Sequence, residues 1–481
     1  MRYHLLAPVL FVSISHLTAN AQINKQINLV EHSLVGASHQ QNFTGWPIQG
    51  RMAHYKVNGI SIAVIHNYKL EWAKGYGWAD VANKIPVTTT TRFQAGSISK
   101  SVNAIGVLKL AKNRSINLYA DINKYLTSWK IPYNGAYKGK TINIVQLLSH
   151  TAGINVSGFS GYTAGQPIPT IVQVLDGEAP ANSPAIHSII QPGLKYEYSG
   201  GGTTITQLLI ENNTGRYYED YMQDEVLNPL GMFNSSFANP GKKNDKSLLA
   251  TGYYENGNPV KDKYHIYPER AAAGLWTTPT DIAKCIIAIQ QAYRGVSNTI
   301  VSSSMGKLML TPYIDQRAGL GVFIDNYNNE KYFGHDGLTH GYYCQYYGSL
   351  TNGNGVIVMA NSVNSNIVAE IINSVAKVYD FKGLYRSTVE RSVRVDESLL
   401  KSYTGRYKLA PGAILTISKK GKQLFVKLNG QENVEIYPMT TNKFYLKIID
   451  AQLEFIKDAK GEITKAILYQ DGSVNNAPKL K

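Results

Sequence analysis

The chain has 481 residues, 43% of them hydrophobic, and a formal net charge of +15. This length exceeds what one hydrophobic core usually organises, so we expect at least two domains. The positive charge is spread along the chain without a dense Lys/Arg block, which argues against a nucleic-acid partner. A net positive charge is compatible with binding to acidic cell-wall material.

The pattern of the amino terminus predicts an export signal. A short basic start at Arg2 is followed by an apolar run, and Ala19-Asn20-Ala21 supplies the small-x-small pattern that a signal peptidase cleaves. The apolar run is well short of the roughly 20 residues that a spanning helix needs. We therefore expect residues 1–21 to be a signal peptide, and the mature protein to be periplasmic or secreted rather than membrane-spanning.

Residues 22–380 carry a mixed pattern of elements. Alternating β-branched segments on both sides of Asn67 predict a hairpin, and similar runs recur late in this stretch with helical periodicity between them. The predicted strands are 59–66, 70–78, 341–347 and 355–360, and the predicted helices are 97–119, 142–148, 203–211 and 367–378. Strands near both ends with helices between them indicate an α/β (α+β) fold, with one sheet assembled from both ends and a helical insertion.

The last part of the chain follows a different pattern. Residues 381–395 are charged and aperiodic, which is typical of a linker. Residues 396–481 contain short alternating runs separated by turns such as Lys420-Gly421 and Asn429-Gly430. The runs are 414–417, 424–428, 444–448, 453–455 and 463–469. We expect them to form a small antiparallel β-barrel without a catalytic constellation.

Ser97-Ile-Ser-Lys100 places a hydroxyl and an amine one turn apart at the start of a predicted helix. Residues i and i+3 share a helix face, so the Lys100 amine can reach the Ser97 oxygen and activate it as a nucleophile. The bare Ser-x-x-Lys pattern occurs four times in the chain, also beginning at Ser304, Ser374 and Ser398. The apolar helix and the motifs that surround the first occurrence distinguish it from the others.

Four further segments resemble the successive signature segments of the serine β-lactamase and penicillin-binding protein family. They are Leu147–Ile154, Asn228–Met232, Ala272–Asp281 and Gly334–Tyr342. The resemblance covers about residues 45 to 380 and is greatest to the branch with class C β-lactamases, D-aminopeptidases, DD-peptidases and family VIII esterases. It implies the β-lactamase/transpeptidase-like antiparallel sheet flanked by helices. The tail, beginning at Tyr403-Thr-Gly-Arg-Tyr407, resembles the lipocalin-like domain often appended to these hydrolases.

The resemblance implies a role for each motif residue. Ser97 is the nucleophile, Lys100 is its amine partner, and Tyr198 in Tyr196-Glu-Tyr198-Ser-Gly200 matches the tyrosine of the Tyr-x-Asn motif. A serine hydroxyl needs a base to take its proton. Either neutral Lys100 or a Tyr198 phenolate favoured by the lysine cation can be that base, and the sequence leaves both open.

His335-Asp-Gly337 matches the third motif in its His-x-Gly form. The family arrangement implies that the backbone N–H groups of Ser97 and Leu338 bind the oxyanion of the tetrahedral intermediate. Gly337 lets the backbone approach the substrate closely. His335 is expected to face the substrate carboxylate or the catalytic amine and phenol, with a charge that varies near neutral pH. No cofactor or metal is implied, because no Cys/His cluster has metal-ligand spacing.

Two positions depart from the family pattern. Gly200 stands where the family usually has an Asn whose side chain binds the substrate amide, and Asp336 adds a negative charge where substrates often carry a carboxylate. His150 and His340 are interpreted as scaffold residues. The two cysteines, Cys285 and Cys344, can form a disulfide or remain separate buried side chains.

The resemblance together with these residues predicts an exported serine hydrolase that works through an acyl-serine intermediate. Amide bonds of D-amino-acid-containing peptides or of β-lactams are the favoured substrates. The alternatives are a carboxylesterase of the same family and a catalytically weak protein that binds penicillin or cell-wall material.

Overall fold

In the computed structural model the described residues are 20–40, 43–133, 139–240, 249–296, 302–390, 393–429, 431, 433–446, 451–470 and 473–480. Residues 1–19, nearly all of the predicted signal peptide, therefore lie outside the described residues. Residues 447–448 of the predicted 444–448 strand and Gly430 of the Asn429-Gly430 turn lie outside them as well. A helix with the length and hydropathy of a membrane span is not found among the described residues.

The elements are numbered in chain order. The strands are β1 Ser38–Gln40, β2 Gly59–His66, β3 Lys69–Asp80, β4 Ile85–Pro86, β5 Phe93–Gln94, β6 Trp276–Thr277, β7 Phe323–Tyr327, β8 Glu330–Thr339, β9 Tyr342–Ser349, β10 Gly355–Ala360, β11 Thr388–Glu390, β12 Gly405–Ala410, β13 Ala413–Lys420, β14 Gln423–Leu428, β15 Val434–Pro438, β16 Lys443–Leu446, β17 Ala451–Lys457, β18 Ile463–Gln470 and β19 Ser473–Pro478. The α-helices are α1 20–31, α2 Ile48–His54, α3 Ser99–Asn113, α4 Ile144–Leu148, α5 Ile171–Asp176, α6 Gly200–Thr214, α7 Tyr218–Met222, α8 Arg270–Ala273, α9 Pro279–Tyr293, α10 Ser303–Met309, α11 Ser365–Val378 and α12 Glu397–Ser402.

The chain divides into two compact units. The larger one comprises the described residues up to Leu34 together with Trp46–Tyr385, and the smaller one comprises Val35–Gly45 and the chain from Arg386. The boundary falls inside the stretch 381–395, which was predicted to be a linker. Phe381 and Leu384, at the start of that stretch, are fully buried in a core of the larger unit.

The larger unit is built on a seven-stranded sheet with the order β4-β3-β2-β10-β9-β8-β7. Its neighbouring strands are all antiparallel, and β2 pairs with β10, so the sheet joins the two ends of this unit as predicted. Alternate residues of β2 face opposite cores: Ala63 lies in one hydrophobic cluster, whereas Ile62 and Val64 lie in the other. Helix α11 covers one face of the sheet, and α9 and the helical insertion cover the other. The α/β prediction is confirmed.

Two predicted helices have different bounds in the structure. The helix predicted over 97–119 is an α-helix only over Ser99–Asn113, because Ser115 adopts a positive φ of 53° that an α-helix does not allow. The helix predicted over 203–211 begins earlier, at Gly200, where the Ser199 side chain accepts a hydrogen bond from the Gly202 N–H and caps it.

The smaller unit contains an eight-stranded antiparallel sheet in the sequential order β12 to β19. An antiparallel bridge between Tyr407 and Lys479 joins the first strand to the end of the last, so the sheet is nearly closed into a barrel. The Tyr407 hydroxyl donates to the Tyr403 carbonyl, and both rings lie in the barrel core. The predicted C-terminal β-barrel is therefore confirmed.

Cys285 and Cys344, both in the larger unit, are buried and free, so they form no disulfide.

Candidate active site

Ser97 lies in a short 3-10 turn, Gly96–Ile98, between β5 and α3. Gly96 has a φ of +52°, a conformation that residues with a Cβ rarely adopt. A Cβ at this position would lie 3.0 Å from the backbone nitrogen of Leu338. The glycine therefore allows the tight turn that holds Ser97 at the start of α3 and against β8.

Lys100 reaches Ser97 from the first turn of α3. Its Nζ atom donates hydrogen bonds of 2.9 Å to Ser97 Oγ and of 2.9 Å to the Ala272 carbonyl oxygen on α8. Burial lowers the pKa of Lys100 to about 7, although the Asp336 carboxylate acts in the opposite direction. A large fraction of the amine is therefore neutral at neutral pH and has a lone pair that can accept the serine proton.

The other three Ser-x-x-Lys pairs lack this environment. The side chains of Lys307, Lys377 and Lys401 are exposed, whereas Lys100 is only 3% exposed. Across the described residues, the hydrogen bond between Lys100 and Ser97 is the one side-chain bond within any of the four pairs. Burial of the lysine is thus what separates the first pair from the rest.

Tyr198 lies beside this pair in the segment that leads into α6. Lys100 Nζ is 5.0 Å from the Tyr198 ring centroid, and the tyrosine ring stacks on Phe323 with a centroid separation of 6.2 Å. Burial raises the pKa of the Tyr198 phenol, and the Ser97 hydroxyl offsets only part of that rise. The environment therefore favours the protonated phenol over the phenolate that the sequence had left open.

His335 lies on β8, and its ring is 4.8 Å from Phe323 and 6.2 Å from Tyr198 between centroids. Its Nδ1 atom lies 2.6 Å from the Asp336 carbonyl oxygen, so Nδ1 carries the proton. Burial, reinforced by the Lys100 cation, lowers the pKa of His335 to about 3. The expectation that its charge varies near neutral pH is therefore wrong: the imidazole is neutral there because it is desolvated.

Gly337 brings β8 into contact with the turn that carries Ser97. A Cβ at Gly337 would lie 1.9 Å from the Ala95 carbonyl oxygen and 3.0 Å from the Ser97 backbone nitrogen. The next residue, Leu338, has a 59% exposed side chain and lines the same cavity as Ser97. The two backbone N–H groups expected to bind an oxyanion thus belong to segments in direct contact.

Gly337→Ala is expected to disrupt this contact. The added methyl group cannot occupy the position of a backbone oxygen, so β8 and the Ser97 turn must separate, at a cost of about 1–3 kcal/mol in the free energy of unfolding and with misplaced oxyanion donors. Thermal unfolding and labelling by a serine-reactive probe measure the two effects. Gly158→Ala is the matched control, because no heavy atom outside its chain neighbours lies within 4 Å of a Cβ built there. Equal behaviour of the two variants would contradict the prediction.

Three aromatic or imidazole groups surround Tyr198, and for two of them, Tyr196 and Phe323, no role was predicted. His150 Nδ1 accepts the Ser199 N–H, and its ring centroid is 4.4 Å from that of Tyr198, so this scaffold residue also supports the tyrosine. Tyr196 and Phe323 line the cavity. The spacing of two between Tyr196 and Tyr198 was an available signal, because alternate residues of an extended segment share a face. Phe323 had no such signal.

Four of the six predicted site residues line a cavity of about 310 Å³, whereas Lys100 and Gly337 lie behind that lining. Its lining residues are Ser97, Tyr196, Tyr198, Phe323, His335, Asp336 and Leu338. His340 lies outside this set and stacks on His265 with centroids 4.0 Å apart, which agrees with a scaffold role. No group of three or more His, Cys, Asp or Glu is placed to hold a metal ion in the described part of the chain.

Gly200 begins α6, two residues after Tyr198. A Cβ at Gly200 would lie 3.0 Å from Phe159 Cε2 and 3.1 Å from the Ser157 carbonyl oxygen. The position therefore offers no amide side chain to a substrate, and little space for one unless Phe159 moves.

Comparisons with known proteins agree with this architecture. The model of a family described as Beta-lactamase matches residues 48–377, and that of a Domain of unknown function (DUF3471) matches residues 390–479. Protein flp of Staphylococcus aureus (strain N315) is 28% identical over 262 residues, which cover 51% of this chain and 50% of flp. The chain therefore spans about half the length of that relative.

Two further comparisons cover more of the chain. Penicillin-binding protein 4* of Bacillus subtilis (strain 168) is 21% identical over 432 residues, 84% of this chain and 91% of that protein. The octameric penicillin-binding protein homologue from Pyrococcus abyssi has a similar structure, with a TM-score of 0.59 and 23% identity over 89% of this chain and 98% of its own. At that identity the structural likeness supports the fold alone.

Proposed function

Because the chain belongs to the beta-lactamase family of serine hydrolases, we propose that it cleaves amide bonds of D-amino-acid-containing peptides or of β-lactams through an acyl intermediate on Ser97. The observation that carries the proposal is the 2.9 Å hydrogen bond between Ser97 Oγ and the buried Lys100 amine at the edge of a cavity. A buried amine next to a hydroxyl that faces a cavity is one arrangement that supplies the adjacent base needed for nucleophilic catalysis by serine.

In this mechanism neutral Lys100 is the base of the acylation step. Ser97 Oγ attacks the substrate carbonyl carbon while its proton passes to Lys100 Nζ, and the carbonyl oxygen becomes an oxyanion that the N–H groups of Ser97 and Leu338 bind. The Tyr198 phenol keeps its proton because burial raises its pKa, and in this proposal it donates that proton to the leaving nitrogen. The C–N bond then breaks, Tyr198 regains a proton from the lysine, and water hydrolyses the acyl-serine ester.

Acylation is expected to depend on pH through Lys100. Because the neutral amine is the reactive form and its pKa is about 7, the acylation rate should rise by about tenfold between pH 6 and pH 8. Asp336 favours the ammonium, so Asp336→Asn should lower this pKa and move the rising limb to lower pH. Stopped-flow acylation by a chromogenic penicillin measures both profiles. A flat wild-type profile, or a limb that moves to higher pH in the variant, would contradict Lys100 as the base.

A carboxylesterase is the second candidate, and Gly200 favours it. An ester lacks the N–H group that an Asn side chain at this position would bind, so the missing side chain penalises amides and not esters. Both candidates share the acyl-Ser97 step, and they differ in the leaving group.

Gly200→Asn is expected to raise the ratio of amide to ester hydrolysis. One or two added hydrogen bonds are worth roughly 1–3 kcal/mol in the transition state, or about 5-fold to 150-fold, reduced by the cost of displacing Phe159. Gly200→Ala is the matched control, because it adds the same Cβ contact without the amide. If the ratio rises equally in both variants, or in neither, recognition of the amide does not depend on an amide side chain at this position and the esterase candidate becomes the stronger one.

Turnover assays test the proposed function directly. The substrates are a D-alanyl-D-alanine peptide, a chromogenic cephalosporin and p-nitrophenyl acetate, and the Ser97→Ala variant supplies the blank for each. Hydrolysis of the first two that disappears in the blank is the expected result. Turnover of the acetate alone would select the esterase, and binding of the peptide without turnover would select the catalytically weak binding protein.

The location and the natural target are part of the proposal. We propose that the chain is exported and acts on cell-wall peptides, as the amino-terminal pattern and the positive net charge suggest. Amino-terminal sequencing of the protein after secretion or fractionation tests the predicted start at Gln22.

A further inference from the structure

The Asp336 carboxylate lies inside the candidate active site. Asp336 follows His335 on β8 and lines the same cavity as Ser97. Its side chain is partly buried, and burial raises its pKa. Among the described residues, no salt bridge joins Asp336 to a cation. A carboxylate held away from water without a paired cation is unfavourable, and a ligand cation would relieve this cost.

None of the described basic groups around the cavity forms a salt bridge with Asp336. Lys100 lowers the pKa of Asp336 electrostatically, but its Nζ atom donates to Ser97 Oγ and the Ala272 carbonyl oxygen, and the His335 ring is neutral. The Arg317 guanidinium lies 6.0 Å from the Phe323 ring, but its Nε donates to Asp325 at 2.8 Å.

The acidic groups near the cavity wall outnumber the basic ones. The carboxylates of Asp315, Asp336 and Glu197 and the guanidinium of Arg317 are all close enough to affect the Tyr196 phenol. Glu197 is paired with Lys195 at 3.6 Å at the protein surface. Arg317 is paired with Asp325, so the carboxylates of Asp315 and Asp336 remain against the Lys100 amine, which is only partly charged at neutral pH. The remaining balance is negative, which is unfavourable for an anionic substrate and favourable for a cationic one.

We propose that Asp336 makes this site selective for substrates that carry a positively charged group on the acyl side of the scissile bond, such as the free α-ammonium of an amino-terminal residue, and that it disfavours substrates with a carboxylate on that side. The inference rests on the proposed hydrolase function. In this proposal Asp336 is a specificity-determining residue that contacts the substrate ammonium. The preferred substrates are then peptides or amides with a free amino group.

A matched series of three p-nitroanilides tests this selectivity. D-alanine p-nitroanilide is cationic, its N-acetyl derivative is neutral and its N-succinyl derivative is anionic, whereas the scissile bond is the same in all three. We expect wild-type kcat/KM to fall in that order, and the cation-to-anion ratio to fall at least tenfold in Asp336→Asn. Asp336→Glu should retain most of the ratio, because it keeps the charge. Glu255→Gln, which removes an exposed carboxylate outside the cavity lining, controls for net charge.

The series also separates recognition from an indirect effect through Lys100. If Asp336 acts only by changing the basicity of the lysine, its removal changes kcat/KM for all three anilides by the same factor. A cation-to-anion ratio that stays within twofold of wild type in folded Asp336→Asn would therefore overturn the proposal, and so would a wild-type preference for the succinyl derivative.

A binding measurement distinguishes failure of this inference from failure of the proposed function. Calorimetric titration of Ser97→Ala with D-alaninamide and with N-succinyl-D-alaninamide needs no turnover. Tighter binding of the cationic amide, lost in Ser97→Ala/Asp336→Asn, supports the selectivity even if wild type hydrolyses none of the anilides, in which case only the hydrolase proposal fails. Equal binding of both amides by the two proteins would overturn the selectivity.

Discussion

Ser97→Ala is expected to abolish covalent labelling by both a fluorescent penicillin and a fluorophosphonate. Ser97 Oγ is the hydroxyl that the buried Lys100 amine contacts and that faces the cavity, so its removal leaves neither reagent a nucleophile. The loss should exceed about a thousandfold in labelling rate, which is the scale seen when a catalytic serine is removed. Gel fluorescence after timed exposure measures it.

Ser304→Ala is the matched control for this experiment. Ser304 also heads a Ser-x-x-Lys pair, but both Ser304 and Lys307 are exposed. Its substitution should leave the labelling rate unchanged. Thermal unfolding of both variants checks the fold. Labelling that persists in a folded Ser97→Ala protein, or that depends on Ser304, would show that the nucleophile is elsewhere.

Lys100→Met and Tyr198→Phe are each expected to lower the acylation rate by several orders of magnitude, and their effects should be far from additive. The base and the proton donor act in one proton circuit around Ser97, so once one is removed the other has little left to contribute. The double variant should therefore be little slower than the poorer single variant. Pre-steady-state acylation rates of the four proteins in the cycle measure the coupling.

Lys307→Met is the control for loss of a lysine, because this residue is exposed and its substitution removes the same charge. It should leave the acylation rate within about twofold. If the logarithms of the two single effects add up in the Lys100/Tyr198 double variant, the residues work independently, and the proton path proposed here is incorrect.

Parts of this structure with strong local signals were predictable from the sequence. The β2–β3 hairpin follows from the alternation on both sides of Asn67, and strand β10 and helix α11 follow from apolar runs with clear periodicity. The motif order also led from the sequence to the β-lactamase fold. Strands β15 and β19 were not predicted, because β19 is polar and mostly exposed and β15 is short.

The protonation states at the site could not be predicted, because they depend on burial. The sequence places an amine near a hydroxyl at Lys100 and Ser97, but it does not reveal that Lys100 is only 3% exposed. It also suggested a histidine that titrates near neutral pH at position 335, whereas desolvation lowers that pKa to about 3. The desolvation of His335 depends on residues distant in sequence, such as Phe323, so no local sequence pattern can predict it.

Intact-protein mass spectrometry after exposure to benzylpenicillin tests the central claim most directly. Opening of the β-lactam ring leaves both halves of the molecule attached, so acylation of Ser97 should add one complete penicillin mass to the protein. Proteolysis should then locate that mass on the peptide that contains Ser97. The absence of any adduct in a folded protein that also fails to react with a fluorophosphonate, or an adduct on a peptide without Ser97, would contradict the assignment of Ser97 as the nucleophile.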